Sequence, residues 1–198
     1  MPFELDPIEA RVLGCLIEKE MATPDYYPLS LNALVNACNQ KSSREPHMSL
    51  HDDDVTLALD KLRHRGMALI FSDSRVPKHG HRLVERLGLG NRELALLAVL
   101  LLRGPQTLGE LRSRTQSLHD FDDLDTIETV LRKMADREEP LTKALSNRWA
   151  HLLSGDVTDS VVAPVVTARD VGGDRIAKLE ERVAGLEQQM AEFKRQFE

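Results

Sequence analysis

Apolar and polar positions follow the same order twice along this chain. Residues 6–86 and residues 91–153 each contain three stretches with helical spacing of apolar side chains, followed by two short stretches typical of a β-hairpin. The third helical stretch of each copy has apolar residues at i, i+4 and i+7. They are Val55, Leu59 and Leu62 in the first copy and Ile127, Leu131 and Met134 in the second. Three helices closed by a hairpin are typical of the winged-helix form of helix-turn-helix, so the pattern predicts two such domains in tandem.

Local capping signals predict where the helices start. Asp6 is followed by a proline at the first helical position and by Glu9 in the first turn, which together favour a helix start. Thr107 and Glu110 have the spacing of a capping box, in which each side chain caps the backbone of the other. Ser49 is the predicted cap of the third helix in the first copy.

Two hairpins are predicted, one at the end of each copy. In the first hairpin the strands are expected at residues 67–71 and about 81–86, and in the second at residues 141–145 and 148–153. Trp149 lies on the last of these strands. We expect it to anchor the core of its domain, because this copy has few other large side chains.

The C-terminal segment has a different pattern, in which apolar residues alternate spacings of three and four. These residues include Ile176, Leu179, Val183, Leu186, Met190 and Phe193. Such a heptad seam predicts a coiled-coil helix that forms a parallel homodimer. The alternative is an amphipathic helix that folds back on its own domain. The chain is thus predicted to be mainly helical with small hairpins: winged-helix domains at residues 1–88 and 89–153, a linker at 154–173 and the coiled-coil helix at 174–198.

Composition narrows the class of protein. Of the 198 residues, 41% are hydrophobic and 4% are aromatic, which suffices for cores built mostly from aliphatic side chains. No run of 18 apolar residues is present and no basic stretch precedes an apolar one at the N-terminus, so neither a membrane span nor a signal peptide is expected. Cys15 and Cys38 are expected to be buried, reduced thiols. These features predict a soluble cytoplasmic protein.

The net charge of −6 counts against a general nucleic-acid binder, because affinity for phosphate comes from clustered Lys and Arg. Residues 1–88 carry 11 basic and 13 acidic side chains, and residues 89–155 carry 9 and 10, so both predicted domains are nearly neutral. Any contact with DNA would therefore depend on local groups. The candidates are Lys41, Arg44, Arg75, Lys78 and Arg82 in the loops and hairpin of the first copy, with Thr129, Arg132 and Lys133 on the third helix of the second. The cations of the first copy suit contacts to the DNA backbone, whereas the three residues of the second copy suit contacts to phosphate or to base edges.

The outward face of the first copy's third helix favours another class of partner. Helical spacing places Asp53, Leu57, Asp60, Lys61 and His64 opposite its apolar stripe. Two carboxylates and an exposed leucine suit a protein surface better than a polyanion. Two hypotheses therefore stand: a DNA-binding or transcription-associated regulator, and a winged-helix scaffold for protein–protein interaction without direct DNA contact.

Catalytic and metal-binding patterns are weak. His79 and His81 lack the cysteine or carboxylate neighbours of a zinc site, and no glycine-rich loop follows a predicted strand. The three aspartates at residues 52–54 open a helix, where the helix dipole favours negative charge. The sequence therefore predicts a non-enzymatic protein with no catalytic residue, metal site or cofactor.

Two segments carry a family resemblance. They are LGCLIEKE at residues 13–20 and YPLSLNALVNACNQKSSREP at residues 27–46. With these segments the chain resembles the YceH-like family of uncharacterised bacterial proteins, and the similarity extends through the second copy and the C-terminal segment. The resemblance implies a tandem winged-helix protein and implies no biochemical activity.

Overall fold

Three helices followed by a β-hairpin occur twice in the computed structural model, which describes residues 4–72 and 75–158. The first copy consists of α1 (Pro7–Ala22), β1 (Leu29–Ser30), α2 (Leu31–Cys38), α3 (Asp52–His64), β2 (Ala68–Phe71) and β3 (Lys78–His81). A short helix, α4 (Leu83–Leu87), follows. The second copy consists of α5 (Asn91–Arg103), α6 (Leu108–Thr115), α7 (Leu124–Ala135), β4 (Thr142–Ala144) and β5 (Trp149–His151). The prediction of a mainly helical chain with small antiparallel hairpins is confirmed.

Two of the predicted helix caps are present as expected. The Asp6 carboxylate accepts hydrogen bonds from the backbone N–H groups of Ile8 and Glu9, at 2.9 and 2.8 Å, and the Glu9 carboxylate accepts one from the Asp6 N–H. Thr107 and Glu110 form the same reciprocal pair at the start of α6. These caps satisfy N–H groups that the first turn of a helix leaves without an acceptor.

The start of α3 differs from the prediction. The helix begins at Asp52, and the residue before it is His51, whose backbone N–H donates to the Asp54 carboxylate at 2.8 Å. Ser49 therefore lies outside the helix, and the cap expected there is wrong. The aspartates of the first turn supply the capping carboxylate themselves, which made the serine unnecessary.

The first hairpin is shorter than predicted, and it belongs to a sheet of three strands. Its second strand is β3 at residues 78–81, whereas residues 83–87 form α4. The spacing of buried Leu83 and Leu87 is i, i+4, which is helical, and Gly88 ends the helix in the left-handed region at φ 62°. The third strand, β1, was not predicted; it pairs antiparallel with β3 on the side opposite β2.

The second hairpin pairs β4 with β5, close to the predicted positions. Trp149 is buried, as expected for a core anchor. Its backbone also exchanges hydrogen bonds with Gln106, at 2.9 and 2.7 Å, so the segment before α6 lies beside β5 as β1 lies beside β3. The two copies thus share this third sheet position.

Buried side chains of both copies form one continuous apolar cluster, because α1 packs along α5. At their crossing, Gly14 lies so close to Leu102 that an added Cβ would be 2.9 Å from the leucine Cγ. A backbone hydrogen bond connects the start of the first copy to the end of the second: the Leu5 N–H donates to the Leu153 carbonyl at 2.7 Å. The division into domains at residue 88 stays a prediction; the two copies share their core.

None of the helices within the described ranges is long and apolar enough to cross a membrane. The predicted heptad seam and most of the predicted linker lie outside the described residues.

Candidate interaction surface

The outward face of α3 is exposed, as its helical spacing indicated. Leu57 is 59% exposed, and Asp53 and Asp60 lie on the same side of the helix. Three consecutive aspartates form the first turn. This face therefore combines an apolar side chain with a concentration of negative charge.

The β2–β3 hairpin extends this face. Residues directly opposite in an antiparallel pair point to the same side of the sheet, and Ile70 lies opposite His79. α3 packs against β2. Burial and the charge of Arg63, on α3, hold the pKa of His79 below its usual value, while Asp60 acts in the opposite direction. Ile70 is 38% exposed. We call the surface formed by Leu57, Asp60 and Ile70 the α3–hairpin face.

Arg44 lies in the interior, which corrects the expectation of a flexible surface cation. The side chain is 1% exposed. Its guanidinium donates to both Glu18 carboxylate oxygens, at 3.0 and 2.7 Å, and its Nε donates to the Ala37 carbonyl at 3.0 Å. Burial alone would raise the pKa of Glu18, but the hydrogen bond and charge of Arg44 hold it below its usual value. A side chain held in this way cannot contact DNA.

The remaining candidates of the first copy lie at the surface. Lys41, Arg75 and Arg82 are exposed, and Lys78 is half-buried in the first hairpin. They are distributed over the loop after α2, the hairpin and the residue before α4, not over α3.

The candidates on α7 are exposed but engaged with neighbours. The Thr129 hydroxyl donates to the Asp125 carbonyl at 2.8 Å. Arg132 forms an ion pair with Glu128 at 2.6 Å, and Lys133 lies 3.4 Å from a Glu93 carboxylate oxygen. Each of the two cations is therefore balanced by a carboxylate of the second copy.

Both third helices begin among carboxylates. The first turn of α3 is formed by the aspartates at 52–54, and α7 follows Asp122 and Asp123 and has Asp125 in its first turn. The positive end of a helix dipole attracts phosphate when it is uncovered. Here aspartates occupy that position in both copies, so neither helix start is suited to a phosphate group.

Comparisons with known proteins place the chain in a family. The profile described as "Protein of unknown function, DUF480" matches residues 5–150. The chain belongs to the DUF480 family. It is 50% identical to a UPF0502 protein of Solibacter usitatus and 49% identical to one of Pelobacter propionicus, in each case over 100% of both chains. The predicted resemblance to a family of uncharacterised bacterial proteins is confirmed.

In this DUF480 protein, His81 of the first hairpin is a core residue. Its Nε2 lies 2.5 Å from a Glu20 carboxylate oxygen, and its Nδ1 accepts the Leu83 N–H at 3.2 Å, which makes the ring neutral with the proton on Nε2. Its backbone N–H donates to the Tyr27 hydroxyl at 2.7 Å. Burial lowers the pKa of His81, although Glu20 acts against this. The side chain joins α1 to the sheet.

Features for a metal or small ligand are limited in the described part of the chain. No group of three His, Cys, Asp or Glu side chains there is arranged to hold a metal ion. An open groove of about 490 Å³ lies beside α4 and the segment after α7. Its lining residues are Arg86, Leu87, Arg137, Glu138, Glu139 and Leu141. Two cations and two anions give this groove no clear preference for either sign of charge.

A half-buried histidine is expected to make the stability of this DUF480 protein depend on pH. Burial lowers the pKa of His151, in β5, from 6.5 to about 4. Between these values the unfolded chain binds a proton that the folded chain does not, so stability should be full above about pH 6.5 and decrease as pH falls towards 4. We expect His151→Gln, which has no proton to gain, to lose part of this dependence. Thermal melts at about pH 7 and about pH 5 measure the difference.

The matched control is His47→Gln at an exposed position. It should keep the wild-type drop in melting temperature between the two pH values. A His151→Gln drop equal to that of wild type would contradict the assignment.

Proposed function

We propose that this chain is a non-catalytic tandem winged-helix protein whose first copy binds a protein partner through the α3–hairpin face. The observation that carries the proposal is the 59% exposure of Leu57 on a helix that begins with three aspartates. The partner would present an apolar pocket or ridge bordered by Lys or Arg. Such a surface complements an apolar centre with an acidic border.

Apolar exposure supports this proposal. Leu57 and Ile70 are large apolar side chains, and Val76, in the loop of the same hairpin, is 55% exposed. Single exposed apolar residues are common on protein surfaces, but several close together mark interaction sites. Covering these side chains would remove apolar area from water, which favours association.

The distribution of charge points away from DNA as the main ligand. In the winged-helix arrangement the third helix enters the major groove, where it is surrounded by phosphates. The carboxylates at the start of α3 and α7 would be repelled there. Of the predicted DNA contacts, Arg44 is buried, and Arg132 and Lys133 are balanced by Glu128 and Glu93.

A DNA-binding or transcription-associated regulator is the second candidate function. It is favoured by the exposure of Lys41, Arg75 and Arg82 on the first copy. These cations could make contacts to the DNA backbone that do not depend on sequence. In either case we propose a homodimer through the predicted heptad seam of residues 176–193.

A photo-reactive amino acid at position 57 tests the protein-binding function. In cells we expect it to form one discrete cross-linked adduct, whereas the same amino acid at Val84, an exposed valine on α4, should form none. Adding Ile70→Asp should reduce the position-57 adduct on the order of tenfold, because an unpaired carboxylate would be buried in the interface. Adding Val84→Asp should leave it unchanged. Adducts of equal yield from positions 57 and 84, or none from position 57, would rule out this face.

Fluorescence anisotropy with a random-sequence duplex tests the second candidate. At about 50 mM salt and tens of micromolar protein we expect no binding. Binding that weakens steeply with salt, and that is lost in Lys78→Ala with Arg82→Ala, would instead support the DNA-binding regulator.

A further inference from the structure

The outer edge of β2 is a free edge of the first sheet. The sheet has the order β1–β3–β2, so in the described part of the chain β2 has a neighbouring strand on one side only. The Arg82 N–H donates to the Met67 carbonyl, and hydrogen-bonded pairs alternate along an antiparallel ladder. The register therefore turns the backbone groups of Leu69 towards β3 and those of Ile70 away from it. No described residue hydrogen bonds to the backbone N–H or C=O of Ile70.

Two other strands at sheet edges carry features that hinder pairing with a further strand. β1 has only two residues and is followed directly by α2. β4 has Lys143 at its middle position, 2.7 Å from an Asp156 carboxylate oxygen. Short strands and charged side chains are common ways of protecting an edge. β2 has the sequence ALIF, with no charged residue, no proline and no break in its register, so its edge is open to another strand.

The accessible part of this edge lies towards the hairpin loop. The first two residues of β2 are buried or half-buried. Ile70 and Phe71 are 38% and 39% exposed, and Ser72, which follows the strand, is exposed as well. The Phe71 ring lies against the sheet, since a Cβ added to Gly80 would be 3.0 Å from its Cε2. The edge therefore combines outward backbone groups with two exposed apolar side chains.

We propose that the outer edge of β2 pairs antiparallel with β2 of a second copy of this chain, about a two-fold axis at Phe71. In this pairing the extended backbone continues to Ser72, whose N–H and C=O then point outward like those of Ile70. Ile70 of each copy lies opposite Ser72 of the other, and the two residues exchange N–H···O=C hydrogen bonds. The Phe71 residues of the two copies lie opposite each other in a non-hydrogen-bonded pair, where side chains are closest.

A second copy is the partner that this edge matches best. A two-fold contact brings the same surface from both copies together, so that surface must complement itself. Residues 70–72 carry no charge, so no like charges meet across the contact. Each outward N–H meets an outward C=O, and an exposed aromatic side chain meets its own copy. A register centred nearer the start of β2 would have to use Ala68, which is buried.

The pairing would bring two α3–hairpin faces to one side of a joined sheet. A two-fold axis perpendicular to a sheet leaves the same side of the sheet facing the same way in both copies. This dimer contact goes beyond the protein-binding function proposed above and does not depend on it. A contact through one short segment is weak by itself. The predicted heptad seam, where it dimerises, would raise the effective concentration of the second β2 and so strengthen the contact.

Disulfide cross-linking of the full chain tests the pairing. The Cα atoms of a non-hydrogen-bonded antiparallel pair are about 4.5 Å apart, which a disulfide can span. Phe71→Cys should therefore form a covalent dimer under mild oxidation, seen on a non-reducing gel. The native cysteines, Cys15 and Cys38, are buried and should not react.

Two further cysteine variants are controls for Phe71→Cys. Leu69→Cys lies on the same side of β2, but in this register its two copies are separated by roughly 14 Å along the strands, too far for a disulfide. Val84→Cys, at a position of α4 that is 47% exposed, reports random collision. We expect each control to form covalent dimer on the order of tenfold more slowly than Phe71→Cys. Equal rates for the three variants, or no covalent dimer of folded Phe71→Cys, would overturn the proposal.

Hydrogen exchange of the wild-type chain is a second test, which needs no variant. At about 1 mM protein we expect the outward Ile70 amide to exchange on the order of tenfold more slowly than an unstructured amide, because a second β2 accepts its hydrogen bond. The Leu69 amide, directed towards β3, should be protected at any concentration. An Ile70 amide that exchanges at the unstructured rate would show that no strand pairs with this edge. Protection of Ile70 without a covalent dimer of Phe71→Cys would mean that another segment, and not a second β2, covers the edge.

Discussion

Replacing Arg44 by alanine is expected to lower the free energy of unfolding by about 3 kcal/mol. The substitution would leave the Glu18 carboxylate, whose side chain is 14% exposed, without its bidentate partner. It would also leave the Ala37 carbonyl without its donor at the end of α2. A buried charge that loses its partner costs more than the pair contributed, because the charge cannot recover its hydration. Urea unfolding followed by fluorescence of Trp149, the single tryptophan, measures the change.

Two variants serve as controls for Arg44→Ala. Lys41→Ala, at an exposed position in the same segment, should change stability by less than about 0.5 kcal/mol. Arg44→Leu combined with Glu18→Leu should lose less than Arg44→Ala alone, because neither member of the buried pair is left without the other. If Arg44→Ala cost no more than Lys41→Ala, Arg44 would be a surface residue, and it would again be a candidate for contact with DNA.

Gly14→Val is expected to destabilise the protein by about 3 kcal/mol through overpacking where α1 crosses α5. An added Cβ would lie 2.9 Å from both Cγ and Cδ2 of Leu102 and 3.1 Å from the Leu101 Cβ. Valine adds two further methyl groups at the same place, so the helices must move apart. Because the two copies share one core, we expect α1 and α5 to lose stability together in a single unfolding transition, measured by circular dichroism.

Gly109→Ala, in a helix of the second copy, is expected to have the opposite effect on stability. A Cβ at Gly109, in α6, would meet no atom within 4 Å. Alanine should therefore stabilise the protein by roughly 0.5 kcal/mol, because it restricts the unfolded chain and favours helix.

A wild-type unfolding midpoint for Gly14→Val would mean that α1 and α5 are not packed against each other at Gly14.

The starts of several helices could be predicted from the sequence because capping is a local interaction. Asp6 with Glu9 and Thr107 with Glu110 are each separated by three residues, and each pair forms the expected reciprocal hydrogen bonds. The prediction of a cap at Ser49 was wrong for the same reason, because a serine three residues before an aspartate also fits this local pattern. Which of two neighbouring caps is used depends on where the rest of the domain allows the helix to begin.

The third strand of the first sheet could not be predicted from local pattern. β1 has only two residues, and it pairs with β3, almost fifty residues later in the chain. A segment so short has no alternation to detect. Its position is determined by the hydrogen-bonding edge that β3 offers after the chain has folded back on itself.

The outward face of α3 is the part of the candidate site that the sequence by itself determined. The apolar stripe of Val55, Leu59 and Leu62 turns Leu57 and Asp60 to solvent wherever the helix lies, since helical spacing relates them directly. Only the tertiary structure decided which cations are available at the surface. Arg11 and Arg44 look like surface charges in the sequence, yet both are buried because the carbonyl end of α2 meets α1 there. That meeting depends on residues far apart in the chain, so no local pattern reveals it.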